Sequence, residues 1–440
     1  MKAIGIDLGT TSICGVLLDT QNGNVLSTKT ISSDAFIVTE NEWEKIQDVR
    51  KIIGIATDIL DGFLKEFPDD VVAIGITGQM HGIVYVDAEG EAVSPLYTWQ
   101  DARGDLPYKG TTYAKYLGSF AGYGNVTDFY NRINGIVPKD AVSYCTVHDL
   151  LGMTLCKNKS PLMHSSDAAS LGLYDAENKK FHYDHTVEIT DGFDVIGEYR
   201  HIPVSVAIGD NQASVFSTLA DDGDLLINVG TGSQISIVSE KPISAENIEC
   251  RPYVDGKYLI VGAALCGGRA YSMLKDFYKQ LFDSAGYRDV DVYSIMNKLI
   301  CEKSYVTIKV DTRFAGTRSD PAVRGSISNI SIDNLTPSEL TLGVLYGMVE
   351  ELHGMYLRMG ENRQGVIGSG NGIRKNKALC RVVEKVFGTK LRVPLYAEEA
   401  ACGAALFALV ACGKCKGVSE VKGLIRYTEE QENDTYTDFF

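Results

Sequence analysis

Two stretches half a chain apart pair a Gly-Thr turn with a polar side chain at the end of an apolar run. Ile6 to Leu17 carries Asp7 ahead of Gly9, Thr10, Thr11 and Ser12. Ile227 to Val238 repeats it at an offset of 221, with Asn228 ahead of Gly230, Thr231, Gly232 and Ser233. Each reads as a β-hairpin whose tight turn exposes backbone N–H groups, and such turns bind phosphate oxygens. Two of them facing across a cleft would grip both ends of a polyphosphate. Only the first carries a carboxylate, so only the first can hold a cation.

Three further segments carry chemistry. Gly209-Asp210-Asn211-Gln212 sets a carboxylate at the head of a helix, where it can cap that helix or accept a proton from an acceptor hydroxyl. Gly368-Ser369-Gly370-Asn371, between Val366-Ile367 and a helix, brings a ligand close to bare backbone and suits a nucleotide base or ribose. Gln79-Met80-His81 and Trp99-Gln100-Asp101-Ala102-Arg103 each follow a β-type run. Their amide, imidazole, carboxylate, guanidinium and indole groups suit a polyol, or else satisfy one another as a buried polar cluster. His81 has no second His or Cys at ligand spacing, which argues against a metal there.

The elements that must position these residues follow from periodicity. Ala3 to Asp7, Ile13 to Leu18, Val71 to Thr77 and Ile83 to Val86 are strand-like, and Asp48 to Phe67 keeps helical apolar spacing. Their alternation predicts an α/β layer fold, built twice. Asn22-Gly23 and Glu89-Gly90 signal turns. The Gly-, Tyr- and Asn-rich stretch 107–161, with a helix over 140–156, is expected as an insert over the cleft. The polar step at 220–224 predicts a boundary between domains 1–221 and 222–440. In the second half, 268–282, 340–359 and 375–387 read as helices.

Composition excludes several function classes. With 45 % apolar and 22 % charged residues the chain has the make-up of a folded protein, and a net charge of −15 disfavours nucleic acid or an anionic membrane as partner. Ten cysteines without framework spacing, and no signal-type segment, point to a reduced, cytoplasmic setting. The longest apolar run, 400–412, is short of the ~20 residues of a membrane span and reads as a buried helix. Cys412 and Cys415 form a lone Cys-x-x-Cys without the second ligand pair a zinc site requires. The acidic, aromatic segment 428–440 is expected to pack as an extended tail or fray.

Ile4 to Thr11, Gly209 to Gln212, Asn228 to Gly232 and Gly368 to Asn371 resemble, in that order and spacing, the FGGY carbohydrate kinases, over nearly the whole chain. The resemblance implies two ribonuclease H-like domains of the actin, Hsp70 and sugar kinase superfamily around a central cleft, with ATP mainly on the second and the sugar mainly on the first. It implies Asp210 as catalytic base and Asp7 as the holder of Mg²⁺ through water. Gly9, Thr10, Thr11 and Ser12 would line the transferring phosphate, with Gly230, Thr231 and Gly232 on its other side. Gly368, Ser369, Gly370 and Asn371 would border the adenosine. Gln79, Met80, His81, Trp99, Asp101 and Asn211 would face the sugar. The partner implied is a small-molecule sugar, and a homodimer is compatible with the resemblance.

Within the family, segments 78–86, 97–103, 148–174 and 259–271 are most similar to members acting on sedoheptulose, and next to those acting on xylulose. Glycerol is not expected, because glycerol kinases carry an Arg-Glu pair where this chain has Met80-His81. Two other classes remain open to the sequence. An Hsp70- or actin-like ATPase shares the first glycine turn, but a chaperone would need a peptide-binding segment that the sequence to Phe440 does not show. A silent sugar sensor is disfavoured by the presence of Asp7 and Asp210.

Overall fold

The structure is a computed structural model that describes residues 1–428 except 185, 186, 302 and 304. The segment after Thr428 therefore lies outside the described residues. In the first half the principal elements are β1 (Lys2–Leu8), β2 (Ser12–Asp19), β3 (Val25–Ser32), α1 (Val49–Glu66), β4 (Val71–Gly78), α2 (Val147–Cys156), α3 (Ser165–Ser170), β5 (Val195–Tyr199), β6 (Ile202–Ser205), β7 (Ile208–Gly209) and α4 (Asp210–Thr218). The second half has β8 (Leu225–Val229), β9 (Ser233–Ser239), β10 (Ile248–Pro252), β11 (Tyr258–Ala264), α5 (Gly268–Ser284), α6 (Pro337–Met359), β12 (Val366–Ser369), α7 (Gly370–Lys375), α8 (Lys377–Phe387), β13 (Leu391–Arg392) and α9 (Glu399–Ala411).

Each half is built on one mixed sheet. The first runs β5-β6-β4-β1-β2-β3, with β7 also pairing β4, and the second runs β10-β11-β9-β8-β12-β13. In both, a hairpin is flanked on one side by an antiparallel strand and on the other by a parallel one. The fold is therefore a duplication, but the repeat slips by one residue at its turn. Asp7 lies opposite Cys14 and Asn228 opposite Gln234. The offset of 221 along the first strand thus falls to 220 along its partner, because the second turn is one residue shorter.

Helix α2 begins at Val147, seven residues later than the periodicity suggests. Thr146 and Asp149 form a capping box, which fixes the start, and Ser143–Cys145 pairs instead as a strand with Val84–Val86. The helix packs against β4 and β5, so it belongs to the body of the first domain rather than to an insert. Residues 103–133 carry an aromatic cluster of Tyr108, Tyr113, Tyr116, Phe129 and Tyr130, and are tied to the domain body where Tyr85 Oη donates to Asp128 and the Asn125 N–H to the Leu171 carbonyl.

The boundary at 220–224 separates the two sheets but not the helices. Helix α9, from the second half, lies on β1 and β4 of the first sheet and against α4. Its sequence is crowded with Ala and Gly so that backbones can meet. A Cβ on Gly5 would sit 1.8 Å from the Ala401 carbonyl oxygen, and one on Gly403 would sit 1.8 Å from that of Ala213. Gly403→Ala is accordingly expected to lower stability by about 1–3 kcal/mol or more. Gly54→Ala, in the exposed middle of α1 with nothing within 4 Å, should instead raise it by roughly 0.4–1 kcal/mol. Urea midpoints of the two variants at unchanged slope check both signs.

Candidate active site

Strand β4 pairs in parallel with β1 and with β7, and the reactive residues lie at the C-terminal ends of the three, where open α/β sheets place ligands. Asp7 is the penultimate residue of β1, Gln79-Met80-His81 follows β4, and Asp210 follows β7. Thr77 Oγ1 donates to the Ile208 carbonyl at 2.6 Å, and the Gly209 N–H donates to Ser166 Oγ at 3.1 Å. These two bonds fix the step into α4. The N-cap is Gly209 and Asp210 is the first helical residue, so its carboxylate is not spent on capping.

The first Gly-Thr turn is tied to the polar cluster by a closed set of hydrogen bonds. Gln47 Nε2 donates to the Thr10 carbonyl (2.7 Å), Gln79 Nε2 to Gln47 Oε1 (3.0 Å), and Thr10 Oγ1 to Gln79 Oε1 (3.2 Å). Trp99 Nε1 donates to Thr10 Oγ1 at 3.0 Å, and the Ser33 N–H engages the Thr11 carbonyl at 2.9 Å. With the Thr10 and Thr11 carbonyls engaged and the Thr10 hydroxyl donating to Gln79, the turn is left to offer a ligand its N–H groups and the Thr11 and Ser12 hydroxyls, the complement of a phosphate. Trp99 stays 46 % exposed, leaving its ring available to an apolar sugar face.

His81 has a positive φ of 74°, a conformation uncommon outside glycine and typical of constrained functional positions. Its ring stacks on Tyr123 (centroids 4.4 Å, 4° between planes), and Nδ1 lies 2.7 Å from the Ser170 carbonyl. Burial holds the imidazole neutral, its pKa lowered to about 4. Nδ1 must then carry the proton it donates to Ser170, and Nε2 is left as an acceptor.

The carboxylates share an electrostatic cluster in which His148, Asp149 and Asp167 are buried and Asp7 and Asp210 keep partial exposure. Burial raises the Asp7 pKa to about 7, with the charge of Asp210 adding to it and His148 opposing. Asp210 is raised to about 6, again chiefly by burial and again opposed by His148. Burial alone would discharge His148, but Asp167 at 2.9 Å, then Asp149 and Asp210, outweigh it and push its pKa up to about 9. A fully buried imidazolium thus sits among four carboxylates, and its charge keeps Asp210 from rising further.

Asp101 departs from its expected role of facing the sugar. It is 1 % exposed, and its oxygens accept from the Arg103 N–H (3.1 Å), Nε (2.6 Å) and Nη2 (3.0 Å) and from the Lys45 N–H (2.9 Å). Those four bonds fill a carboxylate's acceptor sites. The pair is an internal clamp that holds the loop bearing Trp99.

On the second sheet, the turn Gly230–Gly232 packs on the start of α5. The Gly268 N–H donates to the Gly230 carbonyl (2.9 Å) and the Arg269 N–H to that of Thr231 (3.0 Å). Gly267 and Gly268 therefore belong to this site, and their signal was a double glycine before a helix. Asn228 Nδ2 donates to Ser369 Oγ at 2.7 Å, which couples the turn to the β12–α7 loop and leaves Ser369 buried and engaged. Gly370, at φ 82°, has its Cβ position 2.6 Å from the Val229 carbonyl oxygen, so only glycine fits there. Asn371 is exposed at the head of α7. Sequence reasoning singled out the 165–170 stretch that carries Ser166 and Asp167 only by its resemblance, and it missed Gln47, His148 and Arg251, which reach the site from distant segments.

Two sheet-centred domains of matching topology, with a partly exposed carboxylate after a parallel strand of the first and a glycine turn on each sheet, define a duplicated two-domain α/β fold. Residues 2–106 match the N-terminal domain of the FGGY family of carbohydrate kinases and residues 225–412 match its C-terminal domain, and the chain belongs to that family. It is a carbohydrate kinase, and the Hsp70-type alternative is set aside. Human sedoheptulokinase is 27 % identical over 465 residues, covering 92 % of this chain and 97 % of that protein. Xylulose kinase of Staphylococcus epidermidis is 22 % identical over 498 residues, 99 % of this chain and 94 % of that one. The solved xylulose kinase of Rhodospirillum rubrum superposes with a TM-score of 0.83 at 18 % identity, covering 98 % and 93 % of the two chains.

Proposed function

We propose that this kinase transfers the γ-phosphoryl group of ATP to the terminal hydroxyl of sedoheptulose, yielding sedoheptulose 7-phosphate and ADP. The observation that carries the reading is the cluster of the partly exposed Asp210 and Asp7 with the buried His148, beside the hydrogen-bonded Thr10, Gln79 and Trp99. It joins a base, a cation-holding carboxylate and a polyol surface at the ends of adjacent strands. The likeness to human sedoheptulokinase, higher in identity than that to the xylulose kinase, supports the choice of sugar.

In this reading Asp210 accepts the proton of the sugar hydroxyl as its oxygen bonds to the γ-phosphorus and the bond to the ADP oxygen breaks. The turns Gly9–Ser12 and Gly230–Gly232 bind the phosphates, and Gly368–Asn371 borders the adenosine. Mg²⁺, when bound, neutralises charge on the phosphate oxygens. Asp7 fits as its protein ligand, since its Oδ1 is buried and has no hydrogen-bond partner among the described residues. Among those residues no group of three or more His, Cys, Asp or Glu is placed to hold a metal. The remaining ligands would then be phosphate and water, as is usual for Mg²⁺. Gln79, Met80, His81 through Nε2, Trp99 and Asn211 meet the sugar.

Met80, apolar and flexible, suits a longer carbon chain. Segment 165–170 supports the site from behind, Ser166 holding Gly209 and Ser170 holding His81. Measured by ADP release across sedoheptulose, xylulose, ribulose and glycerol, sedoheptulose is expected to have the highest kcat/KM. A tenfold preference for xylulose, about 1.4 kcal/mol in transition-state binding, would replace the substrate and leave the mechanism as it stands.

A further inference from the structure

Strand β10 is the edge of the second sheet, yet two of its residues reach α4 immediately after the base. Arg251 Nη1 donates to Asn211 Oδ1 at 3.1 Å, and Gln212 Nε2 donates to the Pro252 carbonyl at 3.0 Å. The Arg251 guanidinium is itself held, because Nε and Nη2 both donate to Glu249 Oε2, at 3.0 and 2.5 Å, while Arg318 pairs with the other oxygen of Glu249. Its side chain is only 14 % exposed. Glu249 offsets the cost of holding the guanidinium largely out of water and leaves Nη1 to meet the neutral Asn211 amide, while the charge of Arg251 also favours the Asp210 anion.

We propose that Arg251 is a positioning residue of the second domain, which orients the Asn211 amide beside the base and makes the sugar pocket depend on both domains. The residues before the base, Ile208 and Gly209, are held by Thr77 and Ser166 of the first domain. The residues after it, Asn211 and Gln212, are held by Arg251 and Pro252 of the second. With Asn211 Oδ1 engaged by Arg251, its Nδ2 is the group turned to a sugar hydroxyl. A guanidinium in this place fixes which end of the amide the sugar meets. The inference rests on the sugar kinase reading of this site and adds a positioning residue from the second domain to it.

A double-mutant cycle on the full chain tests it, with Arg251→Met, Asn211→Ala and their combination assayed well above pH 6, where Asp210 is ionised with or without the Arg251 charge. Methionine keeps most of the apolar stem and removes the charged head. Each single variant should lose about 10²-fold in ketose kcat/KM, the scale of a lost positioning contact. The double variant should fall no more than about threefold below the worse single one, because both remove one interaction. The Kd for ADP, from calorimetry, should stay within about threefold of wild type throughout. Losses that multiply in the double variant overturn the proposal. So does an Arg251→Met enzyme within threefold of wild type, or an equal loss of ADP affinity, which marks a merely structural role. Arg251→Gln takes the place of the methionine variant if that one does not fold. A wild-type protein that phosphorylates no sugar fails the kinase assay before the cycle begins, which separates failure of the parent reading from failure of this one.

Discussion

Asp210→Asn should lower kcat by about 10²–10⁴-fold, the range general-base catalysis supplies, while ADP binds with unchanged affinity. Asparagine keeps the shape of the first residue of α4 and the backbone bonds through Thr77 and Ser166, so the step into the helix survives. What it loses is the proton acceptor. A variant that keeps more than about a tenth of wild-type kcat would take Asp210 out of that role.

The pH profile of the wild-type enzyme gives an independent check on the same residue. Burial raises the Asp210 carboxyl to about 6, against the pull of His148 and Arg251 and with the push of Asp167. A base works only when deprotonated, so at saturating Mg²⁺, which would keep Asp7 ionised, kcat/KM is expected to rise with pH through about 6 and level off above it. His148 stays charged across that window because its own pKa lies near 9. Replacing it by a neutral residue removes a cation that favours the Asp210 anion, and should therefore move the acidic limb to higher pH. A limb that stays put would mean His148 does not act on the base.

How much of this was legible in the sequence depends on how local each feature is. The two hairpins could be read because a Gly-Thr turn between apolar runs is a local signal, and its repetition half a chain later exposed the duplication. The one-residue slip could not be read, since an ungapped comparison cannot see which side of a turn is shorter. The start of α2 was legible in principle, as the Thr146 and Asp149 capping box, but the β-prone Val142 to Cys145 finds its partner only at Val84–Val86, about sixty residues away. The polar cluster divided. Gln79 and Trp99 turn to the shared hydroxyl of Thr10, whereas Asp101 and Arg103, two residues apart, satisfy each other. Sequence spacing alone does not separate a carboxylate that meets a ligand from one that clamps a loop. His148 and Arg251 lay beyond local reasoning, because each acts through a contact made only once the fold has closed.

The asymmetry between the hairpins makes the second large prediction. Asp7→Ala should raise the Mg²⁺ concentration needed for half-maximal rate and cut kcat by about 10²-fold or more, the scale of a lost electrostatic contact in the transition state. Asn228→Ala should cost less than about tenfold. The two residues hold equivalent places at the ends of equivalent strands, so a difference in effect cannot come from position alone. It comes from what the side chains are bonded to. Asn228 spends its amide on Ser369 within the second domain, so its loss loosens the β12–α7 loop and removes no charge. Asp7 is a partly buried carboxylate whose Oδ1 is shielded from water and left without a partner among the described residues, and desolvation raises its pKa to about 7. A group held so unfavourably in the absence of a ligand gains most from a cation. Rates across a Mg²⁺ titration, run for both variants at saturating sugar, decide the matter. Equal losses with no shift in Mg²⁺ requirement would make the two hairpins interchangeable phosphate cradles and leave the cation without a ligand at Asp7.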